Sequence, residues 1–400
     1  MTDRPLPPKQ PSQVEFIVMV AMLFATVALS IDAMLPALPE IAATLSPDAP
    51  NNAQLVLTSF VLGMGIGTLV AGPLSDAFGR KWTVLFGTAI YIVAAFAAWA
   101  SPTLPVLLVS RLLMGIGAAG PRTVTIAIVR DLYHGREMAR IMSFAMMVFT
   151  LVPAVAPLLG QVVMSFADWK AIFLVYIAFA ALAALWLALR QPETLPPTER
   201  RPLSVAELLE GTRELFRHRV VTISILAQTL TLAVLFALLS SIQGLFEQRF
   251  DRAETFPLWF AFIAVCSAAG SFLNARAVMR IGMRAMIRLA YGVLLWLTVA
   301  MLALFASGLL SPAAEFPAFL IWTVVMFGSL GLTMGNLNAL AMEPVGNIAG
   351  LAASVISSLA TVGSVLLAIP VGLAFNGTPL PLLIGGAIFI GASLLLARRL

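Results

Sequence analysis

A chain of 400 residues is long enough for roughly two or three soluble domains, but it is 60% hydrophobic and only 11% charged, with a mean hydropathy of +0.98, far outside the soluble range. Crossing a hydrocarbon core of about 30 Å takes roughly 20 apolar residues per helix, so about ten to twelve spans absorb nearly all the apolar content. A receptor with a large ectodomain, a tethered enzyme and a nucleic-acid binder are therefore excluded, in spite of a net charge of +5.

In chain order, residues 1–13 are polar and Pro-rich and read as a cytoplasmic tail. The apolar run behind them is too long for a signal peptide and lacks a small-residue cleavage site, so it reads as a retained first span. A charge at bilayer depth costs at least about 2.5–3.5 kcal/mol, so gaps between charges locate the spans. The stretches 16–31, 49–75, 141–167, 171–189, 220–246, 255–275, 289–314 and 316–342 each have the length of one. Two longer stretches hold two spans each: 82–129 breaks at Ser101-Pro102, and 344–397 at the turn signal Asn376-Gly377-Thr378-Pro379. The expectation is an all-α membrane protein of twelve transmembrane helices.

An even number of spans puts both termini on one side, and the positive-inside rule says which. With the N-terminus in the cytoplasm, nineteen of the 24 Lys and Arg fall in cytoplasmic segments. Only Lys170, Arg249 and Arg252 fall outside, and Arg111 and Arg122 stay within the fourth span. The basic excess thus reports topology and contact with anionic lipid headgroups. The polar segment 191–219 carries Pro192, Pro196, Pro197 and Pro202 and divides the chain into two six-helix bundles, 14–190 and 220–400. Within it Ser204-Val205-Ala206-Glu207 has the form of a capping box. Val205, Leu208, Leu209 and Leu215 follow at helical spacing, which reads either as a short amphipathic helix on the inner membrane surface or as a solvated linker. The halves echo one another, with Gly72 four residues before Asp76 and Gly270 four before Asn274, each followed by a basic loop. Paired repeats around a midplane cavity are the architecture of rocking secondary transporters.

Cys266 is the single cysteine, and His134 and His218 lie far apart, so neither a metal site nor a redox pair is expected. No G-x-x-x-x-G-K-[ST] motif and no polar domain for a nucleotide exist; no cofactor is expected, and an ion gradient would have to supply the energy.

The loop after the second span reads G-P-L-S-D-A-F-G-R-K from Gly72 to Lys81. It resembles the major facilitator superfamily, whose loop between helices 2 and 3 has the form G-x-L-x-D-x-x-G-R-K. Further matches are I-D-A-M-L-P-A-L-P-E-I at 31–41, R-L-L-M-G-I-G-A-A from Arg111, I-V-R-D-L-Y at 128–133 and A-P-L-L-G from Ala156. Together they are similar to the drug/proton antiporters of the Bcr/CflA type, linked to bicyclomycin, chloramphenicol and sulfonamide resistance. The fifth span keeps Pro157 and Gly160 of the antiporter pattern G-x-x-x-G-P-x-x-G-G, with Val152, Ala156 and Gln161 in place of its other glycines. The resemblance implies the major facilitator fold of two pseudo-symmetric bundles. It also implies proton-coupled efflux of small amphipathic compounds in a bacterial inner membrane, and a cytoplasmic gate of Gly72, Asp76, Gly79, Arg80 and Asp131 that favours the outward-facing state. Surface ion pairs contribute only about 0–1 kcal/mol, so such a gate works as a small bias.

Asp32 is the only acidic residue well inside a span, and Arg111 lies at comparable depth. Each charge is costly alone, so the two are expected to pair. The pair reads either as the proton-coupling site, with substrate and proton mutually exclusive, or as a static ion pair. Arg122 follows Arg111 by eleven residues, which returns to within about 20° of the same helix face some 16 Å deeper. Gly115 and Ala118 between them would leave room for a ligand. Arg122 reads either as a cavity cation for a carboxylate-bearing substrate or as one that snorkels or binds helix carbonyls. Gln54, Thr58, Gln228, Asn336, Asn338, Ser354, Ser358 and Thr361 are cavity candidates, each with an ordinary helix–helix hydrogen bond as the alternative. Met142, Met146 and Met147 with Phe144 and Phe149 form either a pliable cavity wall or a lipid-facing surface. Pro153, Gly363, Pro370 and Gly372 mark, with Pro157 and Gly160, bends where the halves slide. The expected partners are a small molecule, protons and the lipid bilayer, without nucleic acid, and the unit is expected to be a monomer. A dedicated exporter or importer of an amino acid or organic anion is the alternative; a non-transporting sensor or scaffold would predict a long signalling tail or no intramembrane charge.

Overall fold

The computed structural model describes residues 11–400, apart from the side chains of Ala139, Val148, Phe149, Thr150, Val205, Glu207 and Asn347. The expected tail 1–13 thus lies almost wholly outside the described residues, as do Phe149 of the Met/Phe surface and the Val205 and Glu207 side chains of the capping box. The chain forms α1 (Gln13–Asp32), α2 (Leu38–Leu45), α3 (Leu55–Phe78), α4 (Arg80–Trp99), α5 (Leu104–Leu132), α6 (Gly135–Met164) and α7 (Ala171–Arg190). It continues with α8 (Val205–Arg217), α9 (Arg219–Gln248), α10 (Phe256–Ile281), α11 (Met283–Ser307), α12 (Pro312–Met342), α13 (Ala349–Leu373) and α14 (Leu380–Ala397). Twelve segments are long and apolar enough to cross a membrane, the first running from Gln13 through α2 to Leu45.

Proline and glycine set the breaks. Pro36 and Pro39 begin a 3-10 turn and α2 at the top of the first span, a short second helix that charge spacing alone does not reveal. Gly79 (φ +105°) and Gly282 (φ +81°) form the one-residue turns of the α3–α4 and α10–α11 hairpins, a backbone region in which side chains other than glycine are strained.

The helices α1 and α3–α7 pack as one bundle and α9–α14 as the other. Lipid offers no hydrophobic drive between helices, so close backbone approach carries much of the packing. A Cβ on Gly115 of α5 would stand 2.0 Å from the Phe60 carbonyl oxygen of α3, and one on Gly270 of α10 would stand 2.1 Å from that of Gly328 of α12. Gly115 is therefore filled by α3, and Ala118 is fully buried and off the cavity lining, which corrects the expectation that they leave ligand space. The two bundles carry matching polar pairs: Tyr91 of α4 bonds Ser30 of α1 (2.5 Å), and Tyr291 of α11 bonds Thr231 of α9 (2.6 Å).

The linker runs along one end of the molecule, the linker face. Its helix α8 turns Leu208 and Leu215 onto Val221, Ile225 and Val355 of the second bundle, while Leu209 stays exposed. Two of the three described residues of its expected membrane-facing stripe are thus used against protein.

Candidate functional site

A cavity of about 1580 Å³ lies between the bundles and reaches the linker face. Thr68, Gly72, Arg122 and Ile126 line it from the first bundle, Gln228, Leu232, Met334, Asn338 and Thr361 from the second, and Leu195, Glu199 and Leu208 from the linker. At the opposite end the bundles are joined. Asn51 donates to the carbonyls of Leu373 (3.0 Å) and Phe375 (2.7 Å), and Gln161 donates to that of Glu254 (3.0 Å). The molecule is open at one face and sealed at the other.

This geometry sorts the cavity candidates. Arg122, Gln228 and Asn338 line the cavity, as do Ser354 and Thr361. Gln54 and Thr58 do not: they pack with Ser240 and Gly372 where the bundles meet near the sealed end. Asn336 points away from the cavity and donates to Asn274 of α10 (2.8 Å), an ordinary helix–helix bond. Ser358 is buried off the lining, to which α13 contributes Ser354 and Ser357 instead. Among the described residues of the Met/Phe surface only Met146 reaches the cavity, with Phe144 and Met147 exposed. Gly363 packs against Thr229 within the second bundle, whereas Gly372 meets Gln54 across the seam.

Arg111 and Arg122 share a face, as their spacing requires: both reach α3, at Val56 and Phe60 and at Met64 respectively. Arg111 is fully buried, yet among the described residues no carboxylate pairs with it, which corrects the expected ion pair with Asp32. Its Nη2 donates to the Ser30 carbonyl (2.8 Å) and its Nε to that of Val56 (3.1 Å), with the Phe60 ring 4.6 Å from Cζ. Ser30 lies in the last turn of α1, where carbonyls lack helical donors and the dipole is negative. The guanidinium therefore caps α1, with the Tyr176 hydroxyl donating to the same oxygen (3.5 Å). Among the described residues the Asp32 carboxylate, two residues further on, has no hydrogen bond or ion pair, is 6% exposed, and is not part of the cavity lining. In this state Asp32 cannot share a site with a molecule in the cavity.

Gly160 seats α6 against the residue that follows Asp32: a Cβ there would stand 2.1 Å from the Ala33 carbonyl oxygen. Pro157 is buried one turn earlier in α6.

At the cavity mouth Arg80 gathers the gate residues. It pairs with Asp76, donates to Asp131 (3.1 Å) and to Ser75 (2.6 Å), and is itself buried. The linker joins this cluster. Glu193 accepts from the backbone N–H of Arg80 (2.8 Å) and Lys81 (3.2 Å), Thr194 donates to Asp131 (3.2 Å), and the Arg201 N–H donates to the Asp76 carbonyl (3.0 Å). Glu193 thus caps the N-terminus of α4. Among the described residues none of these bonds crosses to the second bundle, and all hold while the cavity is open here, so the cluster does not close the mouth by itself. Sequence reasoning missed Tyr91, Tyr176, Glu193 and Asn51. The scarcity of tyrosine, only four in the chain, singles out the first two; nothing local marks Glu193 or Asn51.

Comparison with known proteins places this architecture. The model of the Major Facilitator Superfamily matches residues 19–368. The chain is 30% identical over 359 residues to a bicyclomycin resistance protein homolog of Haemophilus influenzae, covering 88% of this chain and 87% of that one. It is 29% identical over 373 residues to multidrug resistance protein MdtL of Citrobacter koseri, covering 91% and 89%. A crystal structure of a D-xylose–proton symporter superposes with a TM-score of 0.76 over 96% of this chain and 97% of that one, at 14% identity, which shows the shared fold. The chain is a transporter and no enzyme, and it belongs to the major facilitator superfamily, in its Bcr/CflA branch.

Proposed function

We propose that the protein is a proton-driven exporter of small amphipathic compounds, working as a monomer in a bacterial inner membrane. The positive-inside distribution makes the linker face, with both termini, cytoplasmic. The cavity is then open inward, the state in which an exporter loads. The observation that carries proton coupling is the Asp32 carboxylate, unpaired in the core of the first bundle while the neighbouring arginine is occupied with carbonyls. An unpaired buried carboxylate is costly when charged, so its charge must be neutralised or hydrated at some point in the cycle. Since Asp32 lies off the cavity, proton and substrate exclude each other through conformation rather than through a shared contact. Asp32 takes up its proton when the outward-open state hydrates the site and delivers it to the cytoplasm after return to the inward-open state, where the cargo loads. One inward proton supplies about 2.3 kcal/mol per 100 mV, roughly a fiftyfold gradient for a neutral cargo.

The Arg80 cluster serves this cycle as an anchor for the linker. Asp76 remains partly exposed at the mouth. The N-terminus of α13, which has no side-chain cap, borders the same cavity. Closing the mouth brings that positive helix end toward Asp76, a small bias of the kind helix termini provide.

The deciding experiment reconstitutes wild type and Asp32→Asn in vesicles with an imposed pH gradient. Wild type should expel a neutral amphipathic dye with counterflow of protons. Asp32→Asn should lose coupled transport at normal yield in the membrane, and coupled transport at the wild-type rate in that variant would overturn the assignment.

A further inference from the structure

Among the described residues Arg122 has no counter-ion. It lies ten residues before the end of α5, about 15 Å from the linker face and thus near the middle of a hydrocarbon core of about 30 Å. Among the described residues its only hydrogen bond is to the Met64 sulfur (3.4 Å), a weak acceptor, and no carboxylate lies within salt-bridge distance. A cation at that depth is normally paired or hydrated. The acidic side chains on the cavity wall, Asp76, Asp131, Glu199, Glu210 and Glu214, belong to the mouth and the linker.

The second bundle contributes a matching feature. Gln228 lines the same cavity, is more than nine-tenths buried, and its Nε2 finds no acceptor in the protein. An orphaned buried amide donor costs about 1–3 kcal/mol. Asn338, also on the wall, has no bond to any other described side chain. A guanidinium on one side and an unsatisfied amide donor on the other call for a ligand that is all acceptor and negatively charged. Arginine recognises a planar carboxylate through two parallel bonds. Leu232, Met334 and Ile126 provide the apolar wall for the rest of such a molecule.

We propose that the cavity holds an anion subsite formed by Arg122 and Gln228, and that the preferred cargo is an amphipathic monocarboxylate. This deepens the efflux reading and rests on it for the direction of transport. The site bridges the bundles, so a bound carboxylate draws them together at mid-membrane, where the cavity must close before it reopens outward.

The test uses a matched pair of probes, 1-naphthoate and methyl 1-naphthoate, which differ in charge while sharing the apolar body. In equilibrium binding to the purified full-length protein, naphthoate should bind wild type about tenfold or more tighter than the ester. Arg122→Gln should reduce naphthoate to the level of the ester, and Arg122→Lys should keep part of the preference. Gln228→Glu, which sets a like charge opposite the ligand, should weaken naphthoate and leave the ester within about twofold. Equal binding of the two probes to wild type, or equal loss of both in Arg122→Gln, overturns the subsite. The wild-type comparison and Arg122→Lys decide the matter should Arg122→Gln fail to fold. Vesicle transport separates this from the parent reading. Proton-driven export of the ester without preference for naphthoate removes the subsite and keeps the efflux function. Arg122-dependent naphthoate binding without proton-driven transport keeps the subsite and removes the efflux function.

Discussion

Arg111 shows how a buried charge is accommodated without a counter-ion. Two carbonyl oxygens from different helices and one aromatic face take the place of a carboxylate, so the guanidinium ties α5 to the end of α1 and to the first turn of α3. Charge-assisted bonds of this kind contribute about 1.5–3 kcal/mol each. Lysine keeps the charge but cannot span both carbonyls in a fixed plane. Arg111→Lys should therefore lower thermal stability in detergent by an amount equivalent to about one such bond and slow transport. Substitution of Arg80 by lysine at the hydrated mouth should cost less stability. Melting curves of the two variants provide the check, and a smaller loss at position 111 than at position 80 would contradict the capping role. The same residue explains why Asp32 is left alone: the partner expected from depth and charge is already engaged by the end of the helix that carries Asp32.

Among the elements, α6 is the one whose sequence departs furthest from the antiporter pattern, yet its contact with the site depends on a single retained glycine. The Ala33 carbonyl oxygen occupies the space of a Gly160 side chain. Gly160→Ala must push α6 away from α1 next to Asp32, and overpacking of this sort costs about 1–3 kcal/mol. Coupled transport should fall strongly with membrane yield retained, while Ala156→Gly, a change toward the family pattern, should be tolerated. Transport rates normalised to protein in the membrane test both. The linker element is equally specific: Glu193 and Thr194 fasten it to the first bundle and Leu215 of α8 fastens it to the second. The segment that reads as a spacer therefore spans the mouth between two anchors.

For the whole molecule the conformational state is set at the sealed end. Three side-chain hydrogen bonds, from Asn51 and Gln161, join the bundles there, each contributing about 0.5–1.5 kcal/mol net. A rocking transporter is nearly balanced, so a difference of 1.4 kcal/mol shifts its populations about tenfold. Asn51→Ala removes two of the three bonds, about 1–3 kcal/mol in all, and should move the population toward the outward-open form by at least about fivefold. Accessibility of cysteines introduced on either side of the cavity in a Cys266→Ser background measures the shift. No change at the sealed end would show that apolar packing alone holds it.

The sequence by itself determined the solvent, the number of spans and the kind of machine. These follow from hydropathy, the placement of charge and the run from Gly72 to Lys81, all of which are properties of single segments. It also brought Arg111 and Arg122 onto one helix face, because helical periodicity is local. Tertiary structure decided which side chains meet. Asp32 and Arg111 stand at similar depth but are not bonded, since the unpaired carbonyls at the end of α1 lie within reach of the guanidinium. Asn336 and Asn338 differ by two residues, hence by about 200° around α12; one bonds α10 and the other borders the cavity. Gln54 and Thr58 fall at the sealed end because the structure is open at the opposite face. Polarity along a span can be read from sequence, whereas the direction a polar residue faces depends on how twelve helices pack and on which of two states the bundles occupy.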